Sequence, residues 1–439
     1  VLERKGFSFL RSGRPREAAP VYQRALANAE EADRLPPAPR RPGLQAATIM
    51  PWLGEALDRS NRPDEGQQMN EIGRSRLQQF VDAEPFLVSA RRHLAIATSA
   101  KTFYAIRQWD FERAGTAREE YREIYRQMLK LDPKNTTYIN NLAISYSGEA
   151  FFERVRGNLA AAEHAVQQGL AMLSVDWATN FMRANSANGH VALAGICADA
   201  GRDTEAEEQL GKMQALVQPL INEASADSNA RALTEELWQG RRRNVEVARL
   251  NWARVRTGAE QSLARLEKLP SAVGDEQFTG LREDASGQLV IAAWASGDYA
   301  AARRALAVWW AARDPLPDNP QISLNRRFRE IQAELLRIHV LARAGEGEEA
   351  RRILGDIWFE LEALFAAAPE EKFNQVQLAN ALWIKAEVAA GLDGGARRAL
   401  LERAAGYLRP LAASGKLTRF EREVYLAGIE MDLAAVARP

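Results

Sequence analysis

The chain of 439 residues has one cysteine, Cys197, and four histidines, His93, His164, His190 and His339. A single thiol excludes an internal disulfide framework, and no cysteine or histidine stands at zinc-ligand spacing from another. Net charge is also missing. The 58 Lys and Arg balance 58 Asp and Glu, so no overall field draws the chain to a polyanion. The basic stretches "QGRRRNVEVAR" and "NRRFRE" run straight into Glu246 and Glu330, and nucleic acid is not an expected partner. The uncharged run "LVIAAWASG" falls far short of the roughly 18 to 20 apolar residues a membrane helix needs, so no membrane span is expected.

The sequence has no GxxxxGK[ST] phosphate loop, GxSxG elbow, HExxH helix or GxGxxG turn. Cys197 in "LAGICADAG" follows Ile196 and reads as a core thiol rather than a nucleophile. The expectation is a segment that is not an enzyme, with no catalytic residue, no cofactor and no metal. Val and Ile are sparse, and no Asn-Gly or Asp-Gly turn lies between alternating apolar residues, which excludes a β fold. The chain opens on Val1, with neither the apolar stretch nor the cleavage site of a signal peptide, and reads as a piece of a longer protein.

What the sequence does contain is a repeat. A turn glycine followed five residues later by alanine occurs at Gly13/Ala18, Gly157/Ala162, Gly201/Ala206, Gly297/Ala302, Gly345/Ala350 and Gly391/Ala396. Asn61/Gly66 and Trp109/Ala114 keep the spacing with other residues, and a ninth copy is expected to turn at Thr257 and Gly258. The steps between turns are 48, 48, 48, 44, 57, 39, 48 and 46. Nine residues past the turn stand Tyr22, Val166, Leu210, Leu306, Leu354 and Leu400, the buried face of a second helix. Five before it, eight of nine residues are apolar, so a first helix precedes each turn. A helix pair cannot bury both faces alone, whereas stacked pairs share one core.

This pattern resembles the tetratricopeptide repeat family, in which a small residue stands seven before the turn. Here Gly6, Gly54, Thr102, Ala150 and Ala194 hold that place, and Asn251, Val290, Ile338 and Ile384 depart from it. The period of about 48 also exceeds the family's 34 residues. The resemblance implies an all-α fold: an α-solenoid with a right-handed superhelix of about nine helix-turn-helix repeats. The uneven steps near Thr257 mark off N-terminal copies, 1–256, from C-terminal copies, 257–439, either continuous with one another or joined through a hinge or an inserted helix.

In that family the first helices line a groove that receives peptides. The resemblance places Phe103, Phe151 and Trp252 there, six before their turns, with Arg154, Asn188 and Trp294 beside them. Pro51, Trp52 and Glu55, then Ser99 and Ala100, stand where a carboxylate clamp would need Lys and Asn, so the groove suits an apolar or helical segment. Alternatively, the same aromatics pack between copies as core. Arginine two before the turn, at Arg11, Arg59, Arg107, Arg256 and Arg343, fits the negative end of a helix dipole.

The Arg-rich composition is similar to that of GC-rich bacteria, and Arg118 to Leu173 is similar to tetratricopeptide regions of bacterial signalling proteins that carry a separate effector domain. The resulting expectation is a non-catalytic protein- or peptide-binding scaffold, the sensor or interaction arm of such a protein. Two other readings stay open: an oligomerisation module acting by self-association, and a helical domain that binds a small molecule. A cytoplasmic location is favoured, with the periplasm open if an upstream anchor exists.

Overall fold

A computed structural model of the chain describes residues 1–11, 14–36, 41–60, 62–107, 110–176, 178–223, 228–269, 276–313, 324–388 and 394–436. Among these residues the regular structure is entirely helical. In chain order the pairs are α1 (Leu2–Arg11) and α2 (Pro15–Ala32), α3 (Leu44–Arg59) and α4 (Pro63–Ala83), α5 (Val88–Arg107) and α6 (Phe111–Leu131), α7 (Thr136–Val155) and α8 (Leu159–Leu173), and α9 (Asn180–Asp199) and α10 (Asp203–Glu223). There follow α11 (Ser228–Ala248) and α12 (Trp252–Leu266), α13 (Glu276–Ala295) and α14 (Tyr299–Ala312), α15 (Leu324–Arg343) and α16 (Gly347–Ala367), and α17 (Lys372–Val388) and α18 (Gly394–Ala413). A π-helical stretch, Glu421–Leu426, then runs into α19 (Ala427–Val436).

In eight of the nine pairs, the turn between α17 and α18 lying outside the described residues, one hydrogen bond closes the turn, from the backbone N–H just past it to the carbonyl five residues back. The bonds are Arg14 to Phe9, Arg62 to Leu57, Asp110 to Ala105, Asn158 to Glu153, Arg202 to Cys197, Asn251 to Glu246, Asp298 to Ala293 and Glu346 to Leu341, at 2.7 to 3.0 Å. This is the Schellman ending, which needs a left-handed residue one position earlier. Gly157, Gly201, Gly297 and Gly345 supply it, with φ of 83°, 78°, 77° and 88°. The expected turn residues Gly13, Asn61, Trp109 and Gly391 lie outside the described residues.

One turn is corrected. Thr257 and Gly258 lie inside α12, and the turn is made at Leu250, which adopts φ 58°. From Gly157 to Gly345 the left-handed residues therefore stand 44, 49, 47 and 48 apart, and the irregular steps disappear. Gly258 serves another purpose. A Cβ there would come within 3.0 Å of Cδ of Arg243, a buried side chain that donates from Nε to Gln288 Oε1 at 2.6 Å and from Nη2 to Ser262 Oγ at 3.2 Å. The boundary drawn between 256 and 257 thus passes through an unbroken helix.

The register moves two further assignments. Asn251 is the N-cap of α12, accepting from the backbone N–H of Arg254, and Arg243 takes its place seven before the turn. Arg256, two before the misplaced turn, lies within α12. The alanine five past the turn is fully buried at Ala18, Ala114, Ala162, Ala206, Ala302 and Ala350, and half-buried at Ala396. Val290, Ile338 and Ile384 are equally buried, so the larger residues are absorbed into the core.

The chain forms two compact units, residues 1–142 with 316–328, and residues 143–315 with 329–439. In the first unit Tyr22, Ile49 and Leu53 fill one core, with Gly6 seated on the Tyr22 ring, and Leu77 and Leu94 fill a second. In the second unit one cluster joins α8 to α11 through Val166, Leu210 and Trp238, and another joins α13 to α19 through Trp294, Leu335, Leu382 and Ile429.

Candidate partner-binding surfaces

Helix α7 carries the clearest open apolar feature. Ile144, Gly148 and Phe151 follow at intervals of four and three, which places them on one face of a helix. Ile144 is 41% exposed and Phe151 62%, and a Cβ on Gly148 would meet nothing within 4 Å. The Phe151 ring stands edge-on to Phe152 with centroids 5.4 Å apart. Phe181, at the start of α9, is 60% exposed.

Close to this stripe in sequence, Arg154 donates from Nε to Oδ2 of Asp199 at 2.6 Å. Burial raises the Asp199 carboxyl above the ordinary aspartate range, while Arg154 pulls it back down. Asn188 donates to Oδ1 of Asn185 at 3.5 Å, and its own side-chain oxygen is buried without a hydrogen-bond partner among the described residues.

The other candidates stand elsewhere. The Phe103 side chain lies outside the described residues. Trp252 is the first residue of α12, a second helix, because its register followed the misplaced turn, and its ring meets Phe420 edge-on at 6.0 Å. Trp294 is buried on α13, 5.0 Å from the His339 ring and 6.5 Å from Trp383. Around it His339 reaches Asn380 Oδ1 at 2.7 Å from Nε2, Trp383 Nε1 donates to Asp432 at 2.8 Å, and Arg343 pairs with Glu387. The structure thus brings Phe151, Arg154 and Asn188 onto neighbouring first helices, with Trp252 and Trp294 in aromatic packing.

Sequence reasoning missed the segment that covers Trp252. Thr418 and Glu421 form a capping box: the Thr418 N–H donates to Glu421 Oε2 at 2.8 Å, and the Glu421 N–H donates to Thr418 Oγ1 at 3.3 Å. The helix started there presents Arg419 to Asp203 at 3.0 Å, Glu421 to Lys372 Nζ at 2.6 Å and Tyr425 to the Phe420 ring at 5.1 Å. The string "TRFE" is a readable helix-start signal, but its partners are far away in the chain.

Glu163, Cys197 and Glu205 converge within 4.8 Å. Arg202 occupies both carboxylates, at 3.0 Å from Glu205 and bidentate on Glu163, and burial pushes the Cys197 thiol up, so the cluster reads as an ion-pair knot. A surface cleft of about 770 Å³ between α4, α5 and α6 has its glutamates paired, Glu119 with Arg126 at 2.5 Å and Glu120 with Lys101 at 3.1 Å. Among the described residues no helix is long and apolar enough to cross a membrane.

These features define an all-α protein of repeated, left-hand-turned helix pairs with an exposed apolar stripe. No protein family matches the chain, and no curated protein matches it either.

Proposed function

We propose that the chain is a non-catalytic scaffold, an α-solenoid of the tetratricopeptide class, which binds a protein or peptide segment along the first helices of its pairs. On this reading it is the sensor or interaction arm of a larger bacterial signalling protein. The observation that carries the reading is the uncovered stripe of Ile144, Gly148 and Phe151. Two large apolar side chains flanking a bare backbone patch offer anchors and a close approach at once, which is what an amphipathic helix or extended segment needs.

The test is affinity capture from bacterial lysate with the parent chain and an Ile144→Glu, Phe151→Glu variant shown to be folded. A protein retained by the parent and lost by about tenfold or more with the variant supports the groove. Identical retention by both removes it. A second reading, self-association, is favoured by Phe359, 82% exposed on the second helix α16. It predicts a concentration-dependent mass by sedimentation that Phe359→Glu abolishes.

A further inference from the structure

The second unit returns to its own beginning. Lys416, just before its last helical segment, touches the turn at Gly157, and the segment itself touches the start of α10 at Asp203, the start of α12 at Trp252 and the start of α17 at Lys372. Three helices thus present one cradle: a carboxylate, an indole ring and an ammonium. Into it the chain places a cation, an aromatic ring and a carboxylate in consecutive positions, Arg419, Phe420 and Glu421. Each group meets its chemical complement, and Glu421 lies close enough to Asp199 to help hold that carboxyl up.

The fastening is lighter than the packing on either side. Leu417, Ile429 and Leu433 are buried with α15 and α17, whereas Phe420, Val424, Tyr425 and Leu426 pack against the same core only partly buried. The Arg419–Asp203 pair is open to water, at 22% and 42% exposure. The six residues in between are wound as a π-helix, a form that is rare and confined to short stretches.

We infer that the cradle of Asp203, Trp252 and Lys372 is a recognition site for a helical segment of Arg-aromatic-Glu chemistry, held by residues 418–425 until a partner segment of the same chemistry displaces them. The inference builds on the scaffold reading but uses a different surface from the α7 stripe. A strap seated nine-tenths of the time weakens the apparent affinity for a competitor by about tenfold. Because the Arg419–Asp203 pair is open to water, competition also depends on salt.

The probe is a fluorescent synthetic peptide of residues 415–427, "GKLTRFEREVYLA", added to the full chain. An Arg419→Ala, Phe420→Ala variant, with its strap released and its cradle intact, binds the peptide at least about tenfold more tightly than the parent. Adding Asp203→Ala reverses the gain, and Phe151→Glu leaves it unchanged, so failure of the α7 stripe and failure of the cradle are separable. A folded strap variant that takes no peptide overturns the inference. If that variant unfolds, hydrogen exchange on the parent decides. Amides of 418–426 exchanging about a hundredfold faster than those of 428–433 support a lifting strap, and equal protection overturns it.

Discussion

A Cβ on Gly157 would stand 2.7 Å from the Cβ of Lys416 and 2.9 Å from its Cα, so the first turn of the second unit and the end of its last full pair meet over a missing side chain. Gly297 makes the same left-handed turn with nothing within 4 Å. Alanine at either site bears a backbone cost of about 1–2 kcal/mol. Gly157→Ala adds a collision worth about 1–3 kcal/mol, and the difference between the two variants in denaturant midpoint measures it. Equal losses would mean that the Lys416 contact is absent in solution.

Arg154→Ala removes the cation that offsets the desolvation of Asp199. The carboxyl is already held above its unfolded value, so the folded state binds more protons in that window and stability falls as pH rises through it. Removing Arg154 widens the window. We expect the variant to be about 1–2 kcal/mol less stable than the parent at neutral pH, a discounted figure because the arginine is partly exposed. The gap should close toward acid pH. Parallel pH–stability curves for the two proteins would contradict the pairing.

Gly258→Ala tests what that glycine is for. Helix propensity alone favours alanine by about 1 kcal/mol in the interior of α12. The added methyl, however, presses on Arg243, which Gln288 and Ser262 hold in place. The expected result is a net loss of about 1 kcal/mol that turns into a gain when Arg243 is first replaced by Met. Thermal denaturation of the four proteins of the cycle gives the sign.

Phe151 and Trp294 should part company in stability measurements. Phe151→Ser removes an exposed ring and should change unfolding free energy by less than about 0.5 kcal/mol. Trp294→Ala empties a site packed by His339 and Trp383 and should cost about 3–5 kcal/mol. A large loss at Phe151 would make it core rather than surface.

The helix pairs were legible because their turns obey chemistry that shows in the sequence. A Schellman ending calls for glycine, and the packed position five later calls for alanine. The Leu250 turn was illegible for the same reason: leucine does not advertise a left-handed backbone, while Gly258 imitates the turn spacing. The better clue was Asn251, which caps α12 as Asp110 and Asp298 cap their helices directly after the turn. Reading caps instead of glycines would have kept Trp252 out of the first-helix face. Phe151, Arg154 and Asn188 lie on first helices as expected because the turns after α7 and α9 are made by glycine, which keeps their register readable. The Arg419–Asp203 pair joins residues 216 apart, and no local pattern marks such partners.

The return of Lys416 and Arg419 to Gly157 and Asp203 has a consequence for how this unit can change over time. An open stack of helix pairs tolerates the gain or loss of a whole pair, since each copy touches only its neighbours. Here the end arrives at the beginning in register, so deletion of any one pair between α11 and α18 would carry Arg419 away from its carboxylate on α10. The Arg419–Asp203 contact thus ties the second unit to its present number of pairs.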